Sequence, residues 1–478
     1  MKKKNKVPRI NILNLVLWIR SKSITRKCKV KLEKINVGKL KPPYIILSTH
    51  GSVMDYFIAQ KITYPHSMYN VCEEIESDAH NWSINHMGGR YYSRYNSKYD
   101  INSHIEEKKI KDIKKAIKRK KIVVLYPEVG FSLDGTDSVI SDQLAHLLKE
   151  LALPVLILKN QGSYLHHPVW SNNKHWNIIQ SQLIEICDKD SISSIEEEEL
   201  DSLIRENFRY DDYSWQRNQA LALNNKDRCD GIENILYKCP QCLEENKIIS
   251  KGDKIYCSSC GKQWVMTEYG DMKAMLDNNE YIRIHDWFSY ERDCVREEII
   301  AGNYNFVSKV RVETINTNNN QVISLEAGIM WHNSEGFILK FNDKGKEENI
   351  IIPSSEMYSC HIEFDYKGKG SCIALWHDDN LYYVYPQGKC SVTKIMLATE
   401  EIYKLSVDSK VFVEKSKSTD EEVVRVDVED LIESEEIIEE ENKGKIIAVE
   451  YTDDNIVTSE QAQAIRAEAQ TVETNEVS

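Results

Sequence analysis

The stretch that decides the fold is Pro43-Tyr44-Ile45-Ile46-Leu47-Ser48-Thr49-His50-Gly51-Ser52-Val53-Met54-Asp55-Tyr56. Tyr44 to Leu47 is a short apolar run, the mark of a buried strand. It ends in small polar residues and Gly51, so the chain turns there. His50 stands just past the strand end. Asp55 follows five residues later, near the start of the next apolar segment, Tyr56 to Ala59. The pattern sets an imidazole and a carboxylate at the mouth of an α/β sheet, where such sheets commonly gather their chemistry. A neutral His is suited to take a proton near pH 7. A nearby carboxylate can hold the ring in one tautomer and stabilise the imidazolium. The same residues also read as a loop His and a helix-capping Asp, and the spacing alone leaves both readings open.

Three further blocks follow in order: Gly88-Gly89-Arg90-Tyr91-Tyr92-Ser93-Arg94, then Ile122-Val123-Val124-Leu125-Tyr126-Pro127-Glu128-Val129-Gly130-Phe131-Ser132, then Leu153-Pro154-Val155-Leu156-Ile157-Leu158. With His50-x4-Asp55 they resemble the four ordered blocks of the 1-acylglycerol-3-phosphate acyltransferase family, the glycerolipid acyltransferases. The resemblance covers roughly residues 40 to 215. It implies transfer of a fatty acyl group from a thioester, acyl-CoA or acyl carrier protein, to a lysophospholipid hydroxyl. It implies His50 as general base and Asp55 as its orienting carboxylate. It implies Arg94, with Arg90 and Gly88 beside it, at the acceptor phosphate. Glu128 would bind the acceptor hydroxyl or orient Arg94; read without the resemblance, it could simply cap a helix. Oxyanion donors are expected among backbone N–H groups of the Gly51 turn or near Val129 and Gly130. One departure matters: the third block of the family usually continues Pro-Glu-Gly-Thr-Arg-Ser, and here Phe131 stands where that Arg is expected.

Between the second and third blocks, Ile105 to Lys121 has Ile at helical spacing and many Lys, the pattern of an amphipathic surface helix. Gln143 to Leu151 reads as a helix and Pro154 to Leu158 as a strand. Strands alternating with helices imply a largely parallel sheet. The expected fold class is α/β, an acyltransferase-like mainly parallel sheet over residues 31–225. A small zinc ribbon at 230–270 and a β-rich region at 290–412 follow it.

The ribbon is read from Cys239-Pro240-Gln241-Cys242 and Cys257-Ser258-Ser259-Cys260, two C-x2-C knuckles 14 residues apart. Four thiolates at this spacing match a tetrahedral structural Zn²⁺ site, with no open position for catalysis. Two roles stand open for it, a spacer and a seat for a protein partner. From about 300 the pattern turns to period two: Val307 to Val312, Gly336 to Phe341 and Leu381 to Tyr385 read as strands, and Ser391 to Leu405 as a closing helix. Strands capped by one helix loosely resemble a pleckstrin-homology-type barrel.

The 478 residues carry a net charge of −13, unevenly spread. Residues 1 to 50 hold 14 Lys or Arg against Glu33 alone, while residues 420 to 478 hold 19 acidic against 4 basic residues. Residues 1–30 read as a basic amphipathic arm around Trp18, suited to an anionic membrane surface; the other reading is a first core helix with a solvated basic flank. Aromatic interleaving is thin, so no nucleic acid is expected. Residues 416–478, acidic and poor in aromatics, are expected to be disordered. No apolar run reaches the ~20 residues of a membrane span. No secretory signal is evident, and scattered cysteines argue for a reducing cytosol. These features place the chain in the cytoplasm, peripheral on the inner face of the cell membrane. A reading from another class stands beside the enzyme: a zinc-ribbon and β-module membrane scaffold whose acyltransferase-like domain no longer catalyses.

Overall fold

The computed structural model describes residues 12–72, 89–91, 104–128, 130–140, 143–275, 281–316, 321–377, 380–388, 390–416, 450–452 and 455–457. The mixed α/β N-terminal part is built on a seven-stranded sheet with strand order β1-β7-β6-β2-β5-β3-β4. Its strands are β1 (Lys31–Ile35), β2 (Ile45–Ser48), β3 (Met68–Cys72), β4 (Gly89–Tyr91), β5 (Ile122–Leu125), β6 (Val155–Gln161) and β7 (Gln180–Cys187). Every pairing is parallel except β6 with β7. Antiparallel, β-rich sheets make up the rest.

The sequence of β2 explains its central place. All four residues, Ile-Ile-Leu-Ser, are buried. A continuous apolar run suits a strand covered on both faces. Ile45 and Leu47 join Val123, Leu125 and Ile157 in one core; Ile46 joins Val124 and Leu156 in the other. Helices close both layers. They are α1 (Ile12–Lys27), α2 (Met54–Thr63), α3 (His104–Lys118), α4 (Leu144–Leu151), α5 (Ser163–His166), α6 (Glu197–Phe208) and α7 (Asp212–Asn218). After β2 the chain crosses to β3 on one side. After β5 it crosses to β6 on the other. The carboxyl ends of β2 and β5 therefore flank the switch point, where open α/β sheets form their crevice.

The basic segment is, from Ile12 on, a helix docked by one side. Leu17, Ser21 and Thr25 are buried, while Leu15, Val16 and Ile19 stay exposed. The Trp18 ring stacks on Tyr64 at 4.5 Å and Lys22 Nζ sits 5.0 Å from the Trp18 ring. Trp18 is thus held against the protein, and the apolar residues turned outward are its neighbours. Residues 1–11 and nearly all of the acidic tail at 416–478 lie outside the described residues.

Strands β8 (Ile248–Lys251), β9 (Lys254–Cys257), β10 (Gln263–Met266), β11 (Asp271–Ala274) and β12 (Tyr281–Arg283) form an antiparallel sheet in the order β12-β11-β10-β9-β8. It leads into α8 (Ile284–Ile300). An eight-stranded antiparallel sheet follows, built from β13 (Phe306–Asn316), β14 (Gln321–Ser324), β15 (Gly328–Asn333), β16 (Gly336–Asp343), β17 (Lys346–Pro353), β18 (His361–Glu363), β19 (Cys372–His377) and β20 (Asn380–Pro386), with the path β17-β16-β15-β13-β20-β19-β18 and β14 on β13. Among the described residues no pairing joins its two ends; α9 (Val392–Ser416) runs after it. The ribbon shares its core with this region. Trp264 and Trp287 lie 4.9 Å apart, and one apolar cluster runs from Cys239 and Trp264 through Trp287 to Ile395. Trp287 Nε1 also donates to the Lys238 carbonyl at 2.8 Å.

Candidate active site

Small residues after β2 let the chain turn tightly against β6 and α5. Thr49 Oγ1 accepts the Asn160 N–H at 3.1 Å. A Cβ on Gly51 would fall 2.9 Å from the Tyr164 backbone nitrogen, so no larger residue fits without a shift. His50 is 5% exposed, with its ring 4.3 Å from Phe131 and 5.0 Å from Tyr126. Its carbonyl accepts the Ser132 N–H at 3.1 Å.

Asp55 lies in the first turn of α2 and is fully buried. Its Oδ2 accepts the Ser52 N–H at 3.0 Å, and Ser52 Oγ meets Ser163 Oγ at 2.9 Å. Among the described residues, Asp55 Oδ1 is buried with no hydrogen-bond partner. Burial pushes the Asp55 carboxyl up to about 7, against the pull of the Ser52 and Gly51 N–H groups and the Ser163 and Asn160 side chains. The contact Asp55 makes is therefore to the turn that carries His50. Of the Gly51 turn, where oxyanion donors are expected, the Ser52 N–H is given to this carboxylate.

Glu128 follows β5 by three residues and is 1% exposed. Its Oε2 accepts the His50 N–H at 2.6 Å. Its Oε1 accepts the Ser138 N–H at 2.9 Å and the Tyr210 hydroxyl at 3.0 Å. Both oxygens are engaged, and the donors sit in turns and at the approach to α7. The helix-cap reading is set aside: Glu128 clamps three segments together. Burial still pushes its carboxyl up to about 8.

The sequence reading missed Tyr210 and Asp212. Asp212 Oδ2 accepts the Tyr164 N–H at 3.1 Å, while its Oδ1 is buried with no hydrogen-bond partner among the described residues. Burial raises this carboxyl to about 8, with Asp55 adding to the rise. Nothing local marks these residues, since their partners are far away in sequence. Of the second block, Arg90 belongs to β4, paired beside β3. Gly88 and Arg94 lie outside the described residues.

A cavity of about 220 Å³ opens next to Phe131, between loop 130–139 and helices α8 and α9. Asp134 and His285 meet at its wall, Oδ2 to Nδ1 at 2.7 Å.

The four ribbon cysteines converge, with all Sγ atoms within 4.8 Å of one another. The Cys239–Cys260 and Cys242–Cys257 Sγ pairs are 3.8 and 3.7 Å apart. Tetrahedral zinc with Zn–S bonds of about 2.3 Å requires edges of about 3.8 Å. These residues fit a structural metal. The Glu244 N–H holds the Cys242 thiol down, at about 7, whereas burial pushes the Cys239 thiol up to about 12.

No protein-family model matches the chain, and no curated protein matches it. Among solved structures it is similar to the 1-acyl-sn-glycerophosphate (LPA) acyltransferase PlsC from Thermotoga maritima. That match has 17% identity and a TM-score of 0.32, covering 41% of this chain and 76% of that one. Among the described residues no helix is long and apolar enough to cross a membrane.

Proposed function

We propose that the chain is an O-acyltransferase that moves a fatty acyl group from a thioester to a lysophospholipid hydroxyl, with 1-acylglycerol-3-phosphate the first acceptor to test. One observation carries the reading: His50, Asp55 and Glu128 are buried together at the carboxyl ends of β2 and β5, with Glu128 gripping the His50 N–H at 2.6 Å.

His50 takes the proton of the acceptor hydroxyl as its oxygen attacks the thioester carbon. The C–O bond forms, the C–S bond breaks, and the proton passes from the imidazolium to the departing thiolate. Asp55 braces the His50 turn, and when its carboxyl, pushed up to about 7 by burial, is ionised its charge favours the imidazolium. Glu128 positions His50 through the backbone. Arg94 and Arg90 remain the proposed phosphate contacts. Acyl-CoA or acyl carrier protein would supply the thioester. The exposed Leu15, Val16 and Ile19 beside Arg20 and Lys22 on α1 suit a peripheral seat on an anionic membrane. Zn²⁺ would hold the ribbon together.

The test is thiol release from a palmitoyl thioester with lysophosphatidic acid and related acceptors, wild type against His50→Ala. Loss of nearly all release in the variant is expected. Equal rates, or none in either protein with any acceptor, would favour the second reading, a scaffold with an idle catalytic fold; Phe131 in place of Arg is the feature behind it.

A further inference from the structure

Loop 130–139 packs directly on His50. The Phe131 ring lies 4.3 Å from the His50 ring, and the Ser132 N–H donates to the His50 carbonyl at 3.1 Å. Ser132 also ties the loop into one unit. Its Oγ donates to the Thr136 carbonyl at 2.6 Å and accepts the Gly135 N–H at 3.0 Å. Asp134 lies inside that turn. Its Oδ1 accepts the Thr136 N–H at 3.0 Å and the Thr136 hydroxyl at 2.8 Å. A displacement of Asp134 is therefore carried to Ser132, and from Ser132 to His50.

Asp134 Oδ2 finds a partner in another part of the chain. His285, in the first turn of α8 and 151 residues further on, sets its Nδ1 2.7 Å away, so the ring donates to the carboxylate. The helix that carries His285 is itself anchored. Trp287 Nε1 donates to the Lys238 carbonyl at 2.8 Å, and Glu291 Oε1 accepts the Lys238 N–H at 2.7 Å. Both bonds fall on the residue just before Cys239. Arg292 pairs with Glu400 and Glu401 of α9, at 2.7 and 3.0 Å. Asp134 is buried and His285 is half-exposed. Without this donor, Oδ2 would be a nearly enclosed carboxylate oxygen short of a hydrogen bond, a costly state. The loop relieves that cost by turning Asp134 toward water, and the Ser132 turn moves with it.

We propose that His285 is a positioning residue for His50, holding loop 130–139 against the turn after β2 through Asp134. The inference rests on the acyltransferase reading for the role of His50; the hold on the loop is a claim about structure alone. It gives the ribbon and the antiparallel region a use, since they carry the residue that steadies the site.

The experiment compares the full chain with its His285→Ala and His285→Asn variants. Asn sets a side-chain N–H close to where Nδ1 stands, so it keeps a donor for Asp134 and removes the imidazole. Three quantities are read: hydrogen exchange over residues 130–139, the His50 ring resonances, and thiol release from a palmitoyl thioester. In His285→Ala the loop should exchange about fivefold faster or more, the His50 resonances should shift, and thiol release should fall by a similar factor. His285→Asn should restore most of all three. Exchange in β2 and the melting temperature should stay as in wild type. Wild-type exchange and resonances in His285→Ala overturn the inference. So does an Asn variant as impaired as Ala, or faster exchange that spreads through β2. An enzyme that loses transfer with His50→Ala but ignores His285→Ala keeps the proposed function and loses this inference. If wild type transfers to no acceptor, the acyltransferase reading fails, and loop exchange with the His50 resonances still decides whether His285 holds the loop.

Discussion

Glu128 Oε2 accepts the His50 backbone N–H at 2.6 Å across 78 residues of sequence. This bond joins the turn after β2 to the turn after β5, and so fixes the mouth of the crevice. Glu128 reaches the His50 main chain, and the imidazole packs against the rings of Tyr126 and Phe131.

Replacing Glu128 by Ala strands three donors, from His50, Ser138 and Tyr210, in a site closed to water. Each buried unsatisfied donor costs roughly 1–3 kcal/mol. Chemical denaturation should show a loss of about 3 kcal/mol or more, together with loss of acyl transfer. A stable variant with full activity would show that the clamp is dispensable.

Gly51→Ala brings a Cβ to 2.9 Å of the Tyr164 nitrogen, a backbone atom that cannot swing aside. Overpacking of this kind costs typically about 1–3 kcal/mol. The same shift displaces His50, so kcat should fall more than thermal stability does. Steady-state kinetics beside a melting curve checks both halves.

The buried carboxyl of Asp212 sits at about 8 when folded, raised chiefly by burial, against about 3.9 in the unfolded chain. A raised folded value means that the native state holds the proton more tightly. Its contribution to stability is therefore full below about pH 4 and is lost as pH rises through 8. Asp212→Asn keeps an oxygen for the Tyr164 N–H and removes the titration. Melting temperatures from pH 5 to 9 should show the variant gaining on wild type as pH rises, on the order of 1 kcal/mol or more by pH 9. Parallel pH curves would contradict this assignment.

Zinc removal should be felt well beyond the ribbon, because Trp264 and Trp287 share one core with α8 and α9. Purified protein is expected to hold one zinc per chain. Cys239→Ser should lower the metal content, and chelation should change tryptophan emission and near-ultraviolet dichroism together. Full metal loss with unchanged spectra would show a core that stands without it.

The amino-acid sequence alone determined the local elements. The all-apolar run into His50 marked a strand buried on both faces, and the two C-x2-C knuckles marked the metal ligands. Such signals lie within a few residues of one another, so periodicity and spacing carry them. The period-two pattern likewise marked the antiparallel region. Only the tertiary structure decided the partners. Glu128 reads in sequence as a cap or a substrate ligand, and the register of β2 on β5 brings it to the His50 N–H as a clamp. Tyr210 and Asp212 carried no local mark, and the chain's return past β7 and α6 brings them to the site. Trp18 looked fit for a bilayer, yet the packing of α1 on α2 lays its ring on Tyr64. The cavity at Phe131 needs side chains from loop 130–139, Val169, α8, residues 360–362 and α9. A hydrogen bond or a cavity wall depends on where strands and helices stack in space, and no short window of sequence holds that information.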